Sequence, residues 1–196
     1  METLLRIGFF VVALSMMVVR VRWARRAEVL EPGARDVGEG AWLLPLRILF
    51  LPVWIGTLGL YLLRPEVLAP VTLTVPMGLR WAGLAVAAAG VGLLAWVHQS
   101  LGVWFSHRLR IREGHALIMV GPYKTVRHPM YTAFLMISGG LFLASALLPI
   151  GVVVLGGVIA VVWFRTPKEE RMLTEAFGDE YRRYVARTGA LFPKLR

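Results

Sequence analysis

Apolar residues fall in long blocks, and polar ones collect at the joints between them. Leu4 to Val21, Ala41 to Leu63 and Leu79 to Val97 each come close to the about 20 apolar residues that a membrane-spanning helix needs. The first block is too long for a signal-peptide core, has no small-residue cleavage site and runs into Arg20, Arg22, Arg25 and Arg26. The fourth block, Tyr131 to Phe164, carries no charge, is too long for one span and is interrupted by Pro149, so it reads as two helices in a tight hairpin. Between the third and fourth blocks, His98 to Arg112 alternates apolar and polar residues over part of its length, which predicts a segment along the membrane surface or rimming an opening. From Thr166 the sequence is polar but helical. Met172, Leu173, Ala176 and Phe177 share a face that should lie on the membrane or on the protein. The expectation is an all-α bundle of about five transmembrane helices in a single domain over 1–196.

Composition supports the membrane class: 57% of the 196 residues are hydrophobic and only 17% charged, with mean hydropathy +0.65. Cysteine is absent, which excludes disulfides, thiolate metal sites and cysteine nucleophiles, and no metal site is expected. The net charge of +10 fits cytoplasmic loops facing anionic lipid. Nucleic acid is not the expected partner, because the basic residues are dispersed around apolar segments. The loops after the first and third blocks are rich in arginine, whereas the second connection has only Arg64 and Arg80 and the hairpin tip has no charge. The positive-inside rule then puts the N-terminus outside, and the stretch Gly114–Tyr131 and the C-terminus in the cytoplasm. Gly83, Ala85, Ala89, Gly90 and Gly92 give the third block small-residue faces for close helix packing. Arg47 lies inside the second block, snorkelling to the interface or facing the bundle.

Two polar constellations remain. In Arg127-His128-Pro129-Met130-Tyr131 the proline fixes its own φ and keeps His128 out of helical geometry, so the segment is a turn entering the fourth span. Each residue type is also ordinary at a membrane entry. Gly121-Pro122-Tyr123 makes a second tight turn, with glycine allowing close backbone approach and tyrosine offering a ring face and a hydroxyl. In Arg165-Thr166-Pro167-Lys168-Glu169-Glu170, Thr166 and Glu169 have capping-box spacing with Pro167 at the first helical position. Glu170 has no such local explanation. A carboxylate where a span emerges needs a cation, which Arg165, Arg127 or a cationic ligand would supply.

Read together, Gly114-His115-x-Leu117, Gly121-x-Tyr123, Arg127-His128-Pro129-x-Tyr131, Glu169-Glu170, Phe177-Gly178-Asp179-Glu180-Tyr181 and Phe192-Pro193 resemble the isoprenylcysteine carboxyl methyltransferase family, itself similar to membrane phospholipid N-methyltransferases. The likeness runs in order from Leu101 to Lys194 and marks 101–194 as a cofactor-binding core behind three apolar spans in 1–100. One departure is Phe105-Ser106, with Trp104 one place early, where the family often has Trp-Ser; it touches the substrate side. The resemblance implies S-adenosyl-L-methionine as methyl donor, held in a cytoplasm-facing pocket by His115, Leu117, Gly121, Tyr123, Arg127, His128, Tyr131, Glu169 and Glu170. Glu170 would pair with the donor's ammonium and Arg127 or His128 with its carboxylate; Tyr123 or Tyr131 would pack on the adenine or lie near the sulfonium. Arg165, which resembles the family arginine before the glutamate pair, would anchor an acceptor carboxylate.

The expected acceptor is lipophilic, most simply a prenylcysteine-like carboxylate entering from the bilayer. A lipid amine or thiol on the same scaffold is the second reading; an amine would need a base, with His128 or Glu169 as candidates. A reading from another class is a nicotinamide-dependent sterol reductase, since those membrane enzymes carry a similar Arg-His-Pro segment. They are longer, and Glu169-Glu170 speaks against it.

Overall fold

The computed structural model describes residues 1–30, 55–102 and 117–194. Five helices carry the fold: α1 (Glu2–Leu30), α2 (55–63), α3 (Met77–Leu101), α4 (Pro129–Ser145) and α5 (Gly156–Arg187). Short 3-10 turns at Pro65–Val71 and Gly121–Lys124 and a π-helical section, Ile150–Leu155, complete it. Among the described residues there are no strands, only isolated bridges between Thr72 and Leu147 and between Val126 and Gly189. α1, α3 and the continuous rod Ile150–Arg187 are long and apolar enough to cross a membrane. α4, a further apolar helix of 17 residues, is about 25 Å long at 1.5 Å per residue. The architecture is an all-α membrane bundle, as the hydrophobic blocks predict. Most of the second block, with Arg47, lies outside the described residues, as do Trp104, Phe105 and Ser106.

The ends of the helices fix their relative directions. At one end Arg80 of α3 grips Glu2 of α1 through both guanidinium nitrogens, at 2.7 and 2.8 Å, and donates from Nε to the Ala144 carbonyl at the close of α4. Tyr61, near the end of α2, places its hydroxyl 3.4 Å from the same guanidinium. At the other end Trp23 of α1 meets His98 of α3, and Arg20 lies over the Phe134 ring near the start of α4. So α1 and α3 run one way and α4 runs back. The membrane-spanning part of the last rod ends at Phe164, because charged residues recur from Arg165 onward and could not lie in hydrocarbon.

The hairpin in the fourth block is formed, and its turn starts before the proline. Ala146 takes the left-handed conformation (φ 57°, ψ 20°) and donates its N–H to Phe142, which closes α4. Leu73 donates to the Ala146 carbonyl from outside. Pro149, at φ −58°, then opens the return rod rather than breaking one. Outward-facing residues are apolar: Leu4, Ile7, Val11, Leu14 and Val18 on α1, and Val152, Ile159, Trp163 and Phe164 on the last rod. In a membrane protein this is the lipid face.

The tightest contact is between α3 and α4, and small residues set it. A Cβ on Gly140 would stand 2.5 Å from the Gly83 carbonyl and 2.6 Å from the Ala87 nitrogen; one on Gly90 would stand 2.9 Å from Met136 and Ile137. The buried stripe is thus Gly83, Ala87 and Gly90, while Ala85 and Ala89 are exposed and Gly92 faces open space. The expected close packing exists, with part of the expected face replaced, because the period of 3.6 selects 83, 87 and 90 together. The capping box expected at Thr166 is not formed. α5 passes through Pro167 as one helix, and the Thr166 hydroxyl has no hydrogen-bond partner among the described residues. Met172, Leu173 and Phe177 are half-buried, while Ala176 is exposed.

Gly140→Ala should lower the thermal stability of the detergent-solubilised protein by about 1–3 kcal/mol, since the backbone of α3 cannot yield. Gly92→Ala should leave it unchanged or raise it by up to about 1 kcal/mol. Thermal unfolding of the two variants side by side checks the assignment of the packed face.

Candidate functional site

Pro129 at the first helical position of α4 starts that helix and leaves His128 extended just before it (φ −120°, ψ 56°). The chain upstream is held by a strap from the C-terminal end. Arg127 donates its backbone N–H to Gly189 at 2.8 Å, and His128 donates to Ala190 at 3.0 Å. Gly189 donates to Thr125 at 3.1 Å. The Thr132 hydroxyl donates to the Leu191 carbonyl. A kink in α5 at Gly178 (φ 50°, ψ −121°) lets the last turns lie back over 123–128. Glycine suits this position because L side chains rarely adopt a positive φ. The Tyr184 hydroxyl then donates to the Tyr123 carbonyl at 2.7 Å.

These elements bring the two polar constellations together. Arg127 donates from Nε to Glu170 Oε1 at 3.0 Å, and from Nη1 to the carbonyls of Thr188 at 2.7 Å and Val185 at 3.4 Å. His128 is buried, with Nε2 3.2 Å from the same Glu170 oxygen and Nδ1 3.8 Å from Glu169 Oε2. The Tyr131 hydroxyl donates to Glu169 Oε2 at 2.8 Å, and its ring stacks on His128 with centroids 5.6 Å apart. The cation that Glu170 requires is therefore Arg127, with His128 hydrogen-bonded to the same oxygen, and the internal ion pair is formed. The hydrogen bond from His128, with the Arg127 hydrogen bond and charge, holds the Glu170 carboxyl down at about 2 despite partial burial.

Of the other expected site residues, Arg165 lies four residues before Glu169, hence on the same face of α5 one turn earlier. Gly121 has φ 58°, and a Cβ there would collide with Ser100 Oγ and stand 3.2 Å from the Trp96 indole nitrogen. It therefore brings the 121–124 turn against α3. Tyr123 is half-buried and tied in through its carbonyl. Leu117 is half-buried upstream of this turn, and His115 lies outside the described residues. Sequence reasoning missed the strap at Thr188–Leu191 and assigned no role to Tyr181 or Tyr184. Their three-residue spacing on one helical face, starting three residues after Gly178, was the available signal.

The shift at Glu170 has a definite sign. Its folded pKa lies below the ordinary value of 4.5, so its contribution to stability is complete above that value and is lost as pH falls towards about 2. Wild-type protein should lose melting temperature over this window more steeply than Glu170→Gln, in a pH series of thermal unfolding in one detergent. Parallel curves would show that the carboxylate is not so held.

The model of the isoprenylcysteine carboxyl methyltransferase (ICMT) family matches residues 81–175, which contain α3, α4 and the Glu169-Glu170 turn of α5. A methanethiol S-methyltransferase from Pseudomonas deceptionensis is 40% identical over 75 residues, 38% of this chain and 27% of that protein. Protein-S-isoprenylcysteine O-methyltransferase B from Arabidopsis thaliana is 33% identical over 119 residues, 57% of each chain. The chain thus spans 27% and 57% of the lengths of these relatives. The solved structure of the eukaryotic intramembrane Ras methyltransferase ICMT matches 95% of this chain and 67% of its own, with a TM-score of 0.59 at 19% identity, a likeness of fold. Through the segment that builds the site, residues 81–175, the chain is similar to the isoprenylcysteine carboxyl methyltransferase family.

Proposed function

We propose that this protein is an integral membrane methyltransferase that uses S-adenosyl-L-methionine and acts on a lipophilic acceptor at the cytoplasmic edge of the bilayer. The observation that carries this reading is the junction of Arg127, His128 and Tyr131 with Glu169 and Glu170 at one end of the bundle. The residues present fit that cofactor. It carries an ammonium, a carboxylate, a sulfonium and an adenine, and the site offers two carboxylates, a guanidinium and stacked aromatic faces. Two buried hydroxyls, on Thr166 and Tyr181, lack hydrogen-bond partners among the described residues.

Glu170 would hold the ammonium beside Arg127, and Arg127 Nη2, the guanidinium nitrogen with no hydrogen bond among the described residues, would take the carboxylate. Tyr131 would lie near the sulfonium. His128, buried between Glu169 and Glu170, is suited to orienting both carboxylates rather than to meeting the acceptor. His115, Leu117, Gly121 and Tyr123 would complete the adenine side. Arg165, on the Glu169 face, would anchor an acceptor carboxylate. When bound, the cofactor supplies an electrophilic methyl group, which a carboxylate oxygen takes while the sulfonium sulfur keeps the bonding pair, and no proton need move. The protein's part is then positioning and exclusion of water.

The cytoplasmic placement rests on charge. Arg20, Arg22, Arg25 and Arg26 cluster at the end of α1 that reaches α4 beside the site, as the Arg20–Phe134 contact shows. For the acceptor, a prenylcysteine-like carboxylate is favoured by the family and by the Arabidopsis relative. A thiol is the second reading, favoured by the likeness to a methanethiol S-methyltransferase. The likeness to the family over residues 81–175 favours methyl transfer over the sterol-type reductase.

In calorimetric titration of S-adenosylmethionine into detergent-purified protein, saturable binding is expected, with affinity at least tenfold weaker in Glu170→Ala. No binding to folded wild-type protein would remove this reading. A panel of prenylcysteine, amine and thiol acceptors then identifies the substrate. Arg165→Ala should reduce kcat/KM by about tenfold or more for a carboxylate acceptor, from loss of a charged hydrogen bond, and leave a thiol acceptor little changed.

A further inference from the structure

Tyr181 is 1% exposed, and its hydroxyl has no hydrogen-bond partner among the described residues. Buried polar groups nearly always have one, so an orphaned hydroxyl marks a place where something else is meant to sit. Its position is specific. It follows the Gly178 kink and comes one turn before Tyr184 and Val185, which flank Arg127. The hydroxyl lies within electrostatic range of Glu170, Arg127 and Glu169. Burial and the Glu170 charge push its pKa above the ordinary tyrosine range, so it stands as a neutral O–H donor. Of the neighbouring carboxylates, Glu170 Oε1 takes Arg127 and His128 and Glu169 Oε2 takes Tyr131, and the Tyr181 hydroxyl bonds to neither residue.

We propose that Tyr181 is a ligand contact of this site, donating its hydroxyl hydrogen to the carboxylate of a bound α-amino acid moiety, next to Arg127 Nη2. The inference rests on the methyl-donor reading and names a further residue for it. The α-amino carboxylate end of the donor then meets one acidic and two donor groups: Glu170 for the ammonium, Arg127 and Tyr181 for the carboxylate. Of these, only the tyrosine lacks a hydrogen bond beforehand. Its role is thus separable from stability, whereas Arg127 and Glu170 hold the fold together as well.

Tyr181→Phe removes only the hydroxyl. The variant should melt without ligand at the wild-type temperature or above, because no bond is lost. Its affinity for S-adenosylmethionine and for the demethylated product should fall by about five- to tenfold, and the ligand-induced rise in melting temperature should shrink with it. Affinity for decarboxylated S-adenosylmethionine, which keeps the ammonium but not the carboxylate, should be the same in both proteins. Wild-type binding matched in full by the variant would overturn this inference alone. A variant that melts lower or fails to fold would show a structural bond, for example to a buried water, and would overturn it as well. An equal loss for the decarboxylated ligand would overturn the carboxylate assignment. Absence of binding to the wild type would instead remove the methyl-donor reading on which the inference stands.

Discussion

The Arg127 guanidinium holds together three parts of the chain that are far apart in sequence. It lies just ahead of α4, reaches Glu170 on α5, and caps the carbonyls of Val185 and Thr188 where that helix ends. Its side chain is only 12% exposed, so a lost partner is not simply replaced by water. Hydrogen bonds to charged groups contribute about 1.5–3 kcal/mol each at such positions. The backbone pairs from Arg127 to Gly189 and His128 to Ala190 add to the same junction. This knot ties the segment before α4 to the polar half of α5, alongside the Tyr131–Glu169 and Tyr184–Tyr123 hydrogen bonds.

The knot in turn needs α4 at a fixed height, and that is set deep in the bundle. Gly83, Ala87 and Gly90 of α3 admit the backbone of α4 at Ile137 and Gly140, a contact too close for most side chains. In lipid the apolar effect does not favour one helix pairing over another, so close packing of this kind decides it. At the far end Arg80 ties α1, α2 and the close of α4 through Glu2, Tyr61 and Ala144. The helices are therefore pinned at one end by an ion pair, in the middle by glycine contacts and at the site end by Arg127. A small shift in the middle would be felt at both ends, because packed interiors do not deform smoothly.

Much of this was legible in the sequence, and the parts that were not share a cause. Block lengths predict the helices, and the long uncharged block with Pro149 predicts the hairpin. Arg127, His128, Tyr131, Glu169 and Glu170 were expected to gather, and they do. The capping box at Thr166 was wrong because a local signal competed with helix continuation. α5 carries on through Pro167 into the polar segment, where the ties of Glu169 to Tyr131 and of Glu170 to Arg127 hold the continuation in place. The small-residue face was half right, since Ala85, Ala89 and Gly92 satisfy composition equally well and only the partner helix chooses among the faces. The strap at Gly189–Leu191 had no periodicity to reveal it, and its bonds are tertiary. Which carboxylate pairs with which cation was also open, because spacing along one helix cannot fix a partner from another.

The site end of the bundle meets two opposed requirements. On the methyl-donor reading proposed above, a cofactor with three charges would require water and counter-charges, while a lipophilic acceptor would require hydrocarbon. The last rod supplies both along one axis. Trp163 and Phe164 are exposed as lipid-facing rings, and within two turns come Arg165, Glu169 and Glu170. At 1.5 Å per residue the passage from lipid to ion pair is about 9 Å. A rigid helix through Pro167 keeps that distance constant, which a capped break at Thr166 would not. The feature that defeated the local sequence signal is thus the one that holds the polar and apolar halves of the site in register.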